Sequence, residues 1–479
     1  MHTTTRIAEV DRAAELAGDA FAVTVGASDD TRAGWLRAIA DALDAHVDDL
    51  VALADGETAL GAARLTGEVA RTTGQLRLFA AVLADGGYLE AIIDHAAPGR
   101  PDLRRMLRPL GPVAVYAASN FPFAFSVAGG DTASALAVGC PVVVKAHPGH
   151  PETSRRTAAL VTEALAAAGA PVGAFGLVEG FEAGLALIDH PAITAAAFTG
   201  SVAGGRALFD RAAARPAPIP FFGELGSINP VVVTEAADAV RGAELAAGLA
   251  ASFQLGVGQF CTKPGLVFVP EGSVLEAALP AQVGRAPHRL LTEAIARGFR
   301  AGLEHLAGVP GAALVAGTVS EPAAGPEPLV YAVDLATFTD PAFTATLTTE
   351  VFGPVTLLVR YPDAATLVGA LAALEGSLTA TVHAEPDEDV TALSAVLADR
   401  VGRLLFGGWP TGVAVTWSQQ HGGPWPATTS QHTSVGATAV RRFQRPIVYQ
   451  DAPEAVLPAA LREDNPLGIP RRVDGVQVR

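Results

Sequence analysis

Cys261 stands in the segment Gly258-Gln259-Phe260-Cys261-Thr262-Lys263-Pro264-Gly265 and is one of only two cysteines in the chain. Upstream, Glu224 opens the segment Glu224-Leu225-Gly226-Ser227-Ile228-Asn229-Pro230. A thiol nucleophile and a carboxylate base suit covalent catalysis followed by hydrolysis. The flanking glycines let backbone approach a ligand where a Cβ would block it. Lys263, two residues after Cys261, is placed to lower the thiol pKa. Cys140, in Val138-Gly139-Cys140-Pro141, reads instead as a small buried hydrophobe.

Other polar residues sit where chemistry is possible. Asn120, before Phe121-Pro122-Phe123, either caps a turn or offers an amide N–H to a developing oxyanion. Lys145 ends the apolar run Val142-Val143-Val144, where it is either a solvated strand-end charge or a contact to a cofactor beyond the carboxyl end of a parallel strand. The loop Thr199-Gly200-Ser201-Val202-Ala203-Gly204-Gly205 follows a strand and precedes a helix, which suits a phosphate at the helix N-terminus. It is not Gly-x-Gly-x-x-Gly. Glu350, in Glu350-Val351-Phe352-Gly353-Pro354, is either a turn residue or a carboxylate for ribose hydroxyls. Of 11 histidines, only His421 in His421-Gly422-Gly423-Pro424 lies in a loop with the context of an active site, and from the residues alone it reads as structural. No histidine or cysteine cluster has metal-ligand spacing, so no metal is expected.

The elements that must position these residues are legible as patterns. The first hundred residues read as helices, with apolar residues at three- and four-residue spacing in 35–43 and 68–83. Strands follow at Val113–Tyr116, 141–145, Phe175–Val178 and 195–198, separated by helices at 131–138, 152–168 and 206–214. Such alternation implies a parallel sheet covered on both faces. The cluster Pro216-Ala217-Pro218-Ile219-Pro220 marks a connector, after which strands at 266–269 and 355–359 point to a second α/β unit. Ile447-Val448-Tyr449 is expected to pair as a strand with another segment or another subunit.

The chain has 479 residues, half of them hydrophobic and 17% charged, with a net charge of -16. This is globular composition. Its acidity argues against nucleic-acid or anionic-membrane partners. Two cysteines make no disulfide framework, and the N-terminus lacks a secretory pattern, so a cytoplasmic setting is expected. Pro109–Gly130 carries no charge, but its prolines and glycines mark it as strand, loop and helix start rather than a membrane span. Only two of the 33 basic residues are lysine, Lys145 and Lys263. That scarcity suggests positions where a compact ammonium is required.

Taken in order, Asn120, Lys145, the Thr199-Gly200-Ser201 loop, Glu224, Cys261 and Glu350 resemble the aldehyde dehydrogenase superfamily over nearly the whole chain. Ala118–Ser126, Gly226–Pro230, Gly408–Val413 and Thr433–Gly436 are similar to the branch that contains the 2,5-dioxovalerate (α-ketoglutaric semialdehyde) dehydrogenases and a fatty-aldehyde dehydrogenase. The resemblance implies an α/β fold with a Rossmann-type cofactor domain (1–97 and 113–223), a second α/β catalytic domain (224–430) and bridging or oligomerisation segments (98–112 and 431–479). It implies NAD or NADP as cofactor, a small-molecule aldehyde as substrate and a homodimer or homotetramer. Cys261 would be the nucleophile, Asn120 the oxyanion donor and Glu224 the base that releases a free acid, with His421 assisting. Lys145, His147, Thr199, Gly200, Ser201, Gly205, Leu225, Glu350 and Phe352 would line the cofactor site. Pro148 and the arginine-free stretch Phe181–Leu185 offer no donor to a 2′-phosphate and do not favour NADP.

The resemblance gives 2,5-dioxovalerate as the expected substrate. Its carboxylate would want an arginine, and Arg71 and Arg77 are the candidates. A long-chain or aromatic aldehyde is the alternative, with Phe121, Phe125, Trp417 and Trp425 lining an apolar tunnel. A non-catalytic paralogue is the alternative of another class; it would have no need of Cys261, Glu224 and Asn120 together.

Overall fold

The structure is a computed structural model that describes residues 4–284, 289–319 and 325–479. Four amphipathic helices lead the chain, the last of them Ala62–Asp85. Strands β1 (Ala91–Asp94) and β2 (Leu103–Pro109) follow. Next come β3 (Val113–Tyr116), β4 (Val142–Lys145), β5 (Phe175–Val178), β6 (Ala195–Thr199) and β7 (Phe221–Glu224). They form a sheet of order β5-β4-β3-β6-β7 in which every pairing is parallel. Val113, Ala114, Val142, Val143, Val144, Ala195 and Ala196 have no exposed surface, as expected of a parallel sheet buried on both faces. The uncharged 109–130 stretch is β3, a loop and the start of the Gly130–Val138 helix. No helix among the described residues is long and apolar enough to cross a membrane.

The second sheet contains β8 (Pro230–Val233), β9 (Leu266–Pro270), β10 (Ala313–Ala316), β11 (Leu329–Asp334), β12 (Val355–Tyr361), β13 (Ser377–His383) and β14 (Val401–Phe406). Its order is β10-β11-β12-β9-β8-β13-β14; only the β10 pairing is antiparallel. The third sheet joins β1 and β2 to β15 (Gln444–Gln450), β16 (Arg471–Val473) and β17 (Val476–Val478). The expected strand around Ile447 thus pairs within this chain, antiparallel to β2. β1 belongs to this sheet although it lies inside the 1–97 segment expected in the cofactor unit. Likewise, Glu224 closes β7 of the first sheet rather than opening the second unit.

Two connections hold the nucleophile loop between the sheets. The loop lies between the Glu235–Gln254 helix and β9, and passes through positive φ at Gly256, Val257 and Gly258. A β-branched valine at φ 58° is strained, a state that persists only where the surroundings impose it. A Cβ at Gly258 would stand 2.2 Å from the Gly353 carbonyl oxygen, so only glycine allows this approach to the Glu350 segment. The second connection is Asn229, fully buried and at φ 51°. Its Nδ2 donates to the Cys261 and Lys263 carbonyls at 2.8 and 2.9 Å. Its Oδ1 accepts from Ser227 Oγ at 2.7 Å and from Thr379 Oγ1 of β13 at 3.2 Å.

Asn229→Ala leaves buried carbonyls unpaired and forces a Cβ-bearing residue without a local polar partner into the left-handed region, so it is expected to destabilise by about 3 kcal/mol. Asn229→Gly relieves the backbone component and is expected to recover about 1 kcal/mol of that loss. Denaturant unfolding of the three proteins checks this; equal stability of all three would show that the side chain holds nothing.

Candidate active site

The three chemical groups converge from distant parts of the chain. Glu224 comes from the end of β7, Cys261 from the loop before β9 and His421 from the long segment after β14. His421 Nε2 lies 3.7 Å from Cys261 Sγ and 2.9 Å from Glu224 Oε1. Glu224 and His421 are 3% and 1% exposed, whereas Cys261 is half-buried. His421 is held by its own backbone: its N–H donates to Thr433 Oγ1, and its carbonyl accepts from the Ser434 N–H. Ser434 Oγ donates to the other oxygen of Glu224.

Electrostatics separate the two acids. Burial pushes the Glu224 carboxyl up, but His421, Ser434 and Arg442 outweigh it and hold the group below the usual carboxylate range. Burial pushes the Cys261 thiol well above its ordinary value, and the negative charges of Glu224 and Glu350 push it further. The resting site is therefore a protonated thiol beside a carboxylate, with an imidazole nitrogen between them.

Lys263 does not play the part its position in the sequence suggests. Its Nζ donates to the Val351 and Val355 carbonyls at 2.9 and 2.8 Å and is not among the groups that shift the thiol. It is 2% exposed, and burial lowers its pKa. It ties the nucleophile loop to the Glu350 segment, and the thiol pKa moves up rather than down. Neighbours in sequence find different partners because the backbone turns between them, with the Lys263 N–H bonded to the Phe260 carbonyl.

Asn120 is buried, and its Nδ2 donates to the Gln259 carbonyl at 3.1 Å, leaving the second amide hydrogen available. The helix Ala62–Asp85 supports this loop from behind. Glu68 Oε1 accepts from the Phe123 and Ala124 N–H groups at 2.8 and 3.1 Å. Arg64 donates to the Asn120 carbonyl at 2.6 Å. Neither Glu68 nor Arg64 stood out in the sequence; their helical spacing was visible, but not which loop the helix would face.

The aromatic expectations divide. Phe121 meets Phe125 and Phe260 edge-on at 5.4 and 5.3 Å, and Phe125 lies 6.2 Å from the His421 ring. Trp425 instead lies against Arg206, 5.8 Å away, and Trp417 is 52% exposed. The arginines divide as well. Arg77 pairs with Asp41 and Asp44 on the surface, whereas the Arg71 guanidinium sits over the Phe125 ring at 5.2 Å.

The residues expected around a dinucleotide lie at the carboxyl edge of the first sheet and beside it. Lys145 ends β4, Thr199 ends β6, and Ser201 caps the Val202–Ala213 helix by accepting from the Gly204 N–H. Gly200 and Ser201 are exposed, so this helix end is open to an anion. A Cβ at Gly205 would stand 2.1 Å from Leu225 Cδ2, so Gly205 allows the Leu225 side chain to pack there. A Cβ at Gly226 would stand 2.7 Å from Glu350 Oε2, which places Glu350 against the segment after Glu224. His147 accepts the Gly149 N–H at Nδ1, and burial lowers its pKa to about 3, so it is a neutral ring. Phe352 is half-buried beside Glu350. The donor set fits a dinucleotide: an open helix N-terminus for phosphate, and an ammonium and a carboxylate for hydroxyl groups.

Glu224, Cys261 and His421 also place a carboxylate, a thiol and an imidazole within 4.8 Å of one another. This grouping was invisible as spacing because its members are drawn from three separate segments.

The chain matches the Aldehyde dehydrogenase family over residues 2–288. It is 48% identical over 484 residues to alpha-ketoglutaric semialdehyde dehydrogenase 2 of Azospirillum brasilense, covering 98% of this chain and 91% of that protein. It is 41% identical over 481 residues to alpha-ketoglutaric semialdehyde dehydrogenase of Acinetobacter baylyi, with the same coverage of 98% and 91%. Among solved structures, a variant of aldehyde dehydrogenase C of Pseudomonas syringae, complexed with NAD+ and octanal, shares the fold. Its TM-score is 0.79 at 22% identity, covering 94% of this chain and 90% of that one.

The raised thiol predicts that iodoacetamide labelling of Cys261 accelerates about tenfold per pH unit between pH 7 and 9, tracking the thiolate fraction. Glu224→Gln removes a negative neighbour, lowers the thiol pKa and is expected to speed labelling at pH 8. Peptide mass spectrometry distinguishes Cys261 from Cys140. A labelling rate already constant above pH 7 would mean a preformed thiolate.

Proposed function

This chain belongs to the aldehyde dehydrogenase family, and we propose that it oxidises 2,5-dioxovalerate to 2-oxoglutarate through a covalent intermediate on Cys261. The observation that carries the chemistry is the meeting of Cys261 Sγ, His421 Nε2 and Glu224 Oε1 within hydrogen-bonding reach. The substrate follows the two α-ketoglutaric semialdehyde dehydrogenases aligned over nearly all of this chain.

The steps follow from the charges. Cys261 Sγ attacks the aldehyde carbon, and its proton leaves towards the His421–Glu224 pair, so the thiolate forms only as it is consumed. The Asn120 amide donates its free N–H to the alkoxide. Bound NAD or NADP supplies the acceptor for the hydride lost from the substrate carbon. Lys145 and Glu350 would hold its riboses, and Ser201 its pyrophosphate. His147, Thr199, Gly200, Gly205, Leu225 and Phe352 shape the same cleft. Once the proton taken from Cys261 has passed to solvent, Glu224 takes a proton from water, the hydroxide adds to the carbonyl carbon of the remaining thioester and the C–S bond breaks; the proton on Glu224 then returns through His421 to the leaving sulfur, restoring the Cys261 thiol. Glu224 is suited to this step because its partners keep it ionised in a buried place. His421 fixes the carboxylate and relays the thiol proton.

Glu224→Gln should give one burst of reduced cofactor per subunit with 2,5-dioxovalerate and then stall, with steady-state turnover down on the order of 1,000-fold. Stopped-flow absorbance with NAD and NADP in parallel measures the burst and the cofactor preference together. Undiminished turnover would remove Glu224 as the base.

A further inference from the structure

Among the described residues, Arg71 forms no ion pair and no side-chain hydrogen bond. It lies on the Ala62–Asp85 helix, mostly out of solvent, and its Nη1 is buried with no hydrogen-bond partner among the described residues. The other guanidinium groups near the site are each anchored by at least one hydrogen bond, although Arg64 Nη1 and Arg403 Nε are also unpartnered among the described residues. Arg64 donates to the Asn120 carbonyl, and Arg403 donates to the Gly412 and Pro410 carbonyls. The nearest acid on the same helix is Glu68, three residues earlier. Its Oε1 is taken by the Phe123 and Ala124 N–H groups, its Oε2 makes no hydrogen bond to Arg71, and burial raises its pKa, so it acts on Arg71 through space without pairing with it. A buried charge without a partner is costly, and a fold retains one where a ligand supplies the counter-charge.

The position of Arg71 suits a short substrate. Its guanidinium lies 5.2 Å from the Phe125 ring centre, and that ring lies 6.2 Å from the His421 ring. His421 Nε2 in turn lies 3.7 Å from Cys261 Sγ. Two rings therefore separate the cation from the nucleophile. Of the charges that act on Cys261, Glu224 and Glu350 are acids, and Glu224 is engaged by His421 and Ser434; Arg71 is the cation among them and the one suited to an incoming anion.

We propose that Arg71 is a carboxylate-binding subsite that takes the distal carboxylate of a short oxo acid while its aldehyde carbon meets Cys261 Sγ. Planar, forked N–H donors match a carboxylate bidentately, which a lysine cannot do. This assignment rests on the dehydrogenase reading above and names the residue that selects carboxylated aldehydes.

The test compares 5-oxopentanoate with pentanal, aldehydes of equal length that differ by the carboxylate. Arg71→Met keeps the packing over Phe125 and removes the charge. It is expected to lower the ratio of kcat/KM for 5-oxopentanoate over pentanal about 100-fold, chiefly through KM, with Arg71→Lys intermediate. Its Tm is expected to hold or rise, because an uncompensated buried charge is gone. An unchanged ratio, or an equal loss on both aldehydes, would overturn the subsite and leave Arg71 with a structural role. The 2,5-dioxovalerate reading is scored separately on the parent enzyme. If the parent ignores 2,5-dioxovalerate while Arg71→Met still collapses the ratio, the named substrate falls and the subsite stands.

Discussion

Two acids share one poorly solvated junction, and only one of them is held as an anion. Glu224 keeps its charge because His421, Ser434 and Arg442 together outweigh the penalty of burial. Cys261, facing that charge and Glu350, keeps its proton. Exchanging the two would leave a stable thiolate and a neutral acid, a reactive sulfur with no base beside it. The arrangement present stores no free thiolate at rest, and it places the proton acceptor next to the bond that must form.

The architecture serves this division of charge. The carboxylate arrives on the last strand of one parallel sheet, the thiol on a loop feeding the central strand of another, and the imidazole on a long return segment. Neither sheet alone holds a site. Asn229 and Lys263 tie the nucleophile loop to β13 and to the Glu350 segment, while Glu68 and Arg64 brace the Asn120 loop from the helical layer. Left-handed backbone at Gly256, Val257 and Gly258 is strain concentrated where the loop approaches its neighbours most closely.

Much of this was legible from residue types. The run Val113–Tyr116 and the run Phe175–Val178 have the strand bounds their apolar pattern implied, because strands of a helix-covered parallel sheet leave continuous apolar runs in the sequence. Cys261 and Glu224 stood out because their flanks are not those of core residues. What depends on three dimensions was not legible. Lys263 was misjudged because nearness in sequence says nothing of side-chain direction across a turn. Arg71 and Arg77 sit on one helix and looked alike; the fold separates them, one over Phe125 and one among surface aspartates. Asn229 was visible only as a flank of Glu224, although its positive φ and its hydrogen bonds join three segments.

The central claim is that the sulfur of Cys261 carries the acyl group. Acid quenching during turnover with 2,5-dioxovalerate and cofactor, followed by peptide mass spectrometry, tests it most directly. The account predicts an acyl mass on the peptide containing Cys261, none on the peptide containing Cys140, and loss of both adduct and oxidation in Cys261→Ala. An unmodified Cys261 during full turnover, or a Cys261→Ala protein that oxidises the aldehyde at the parent rate, would contradict it.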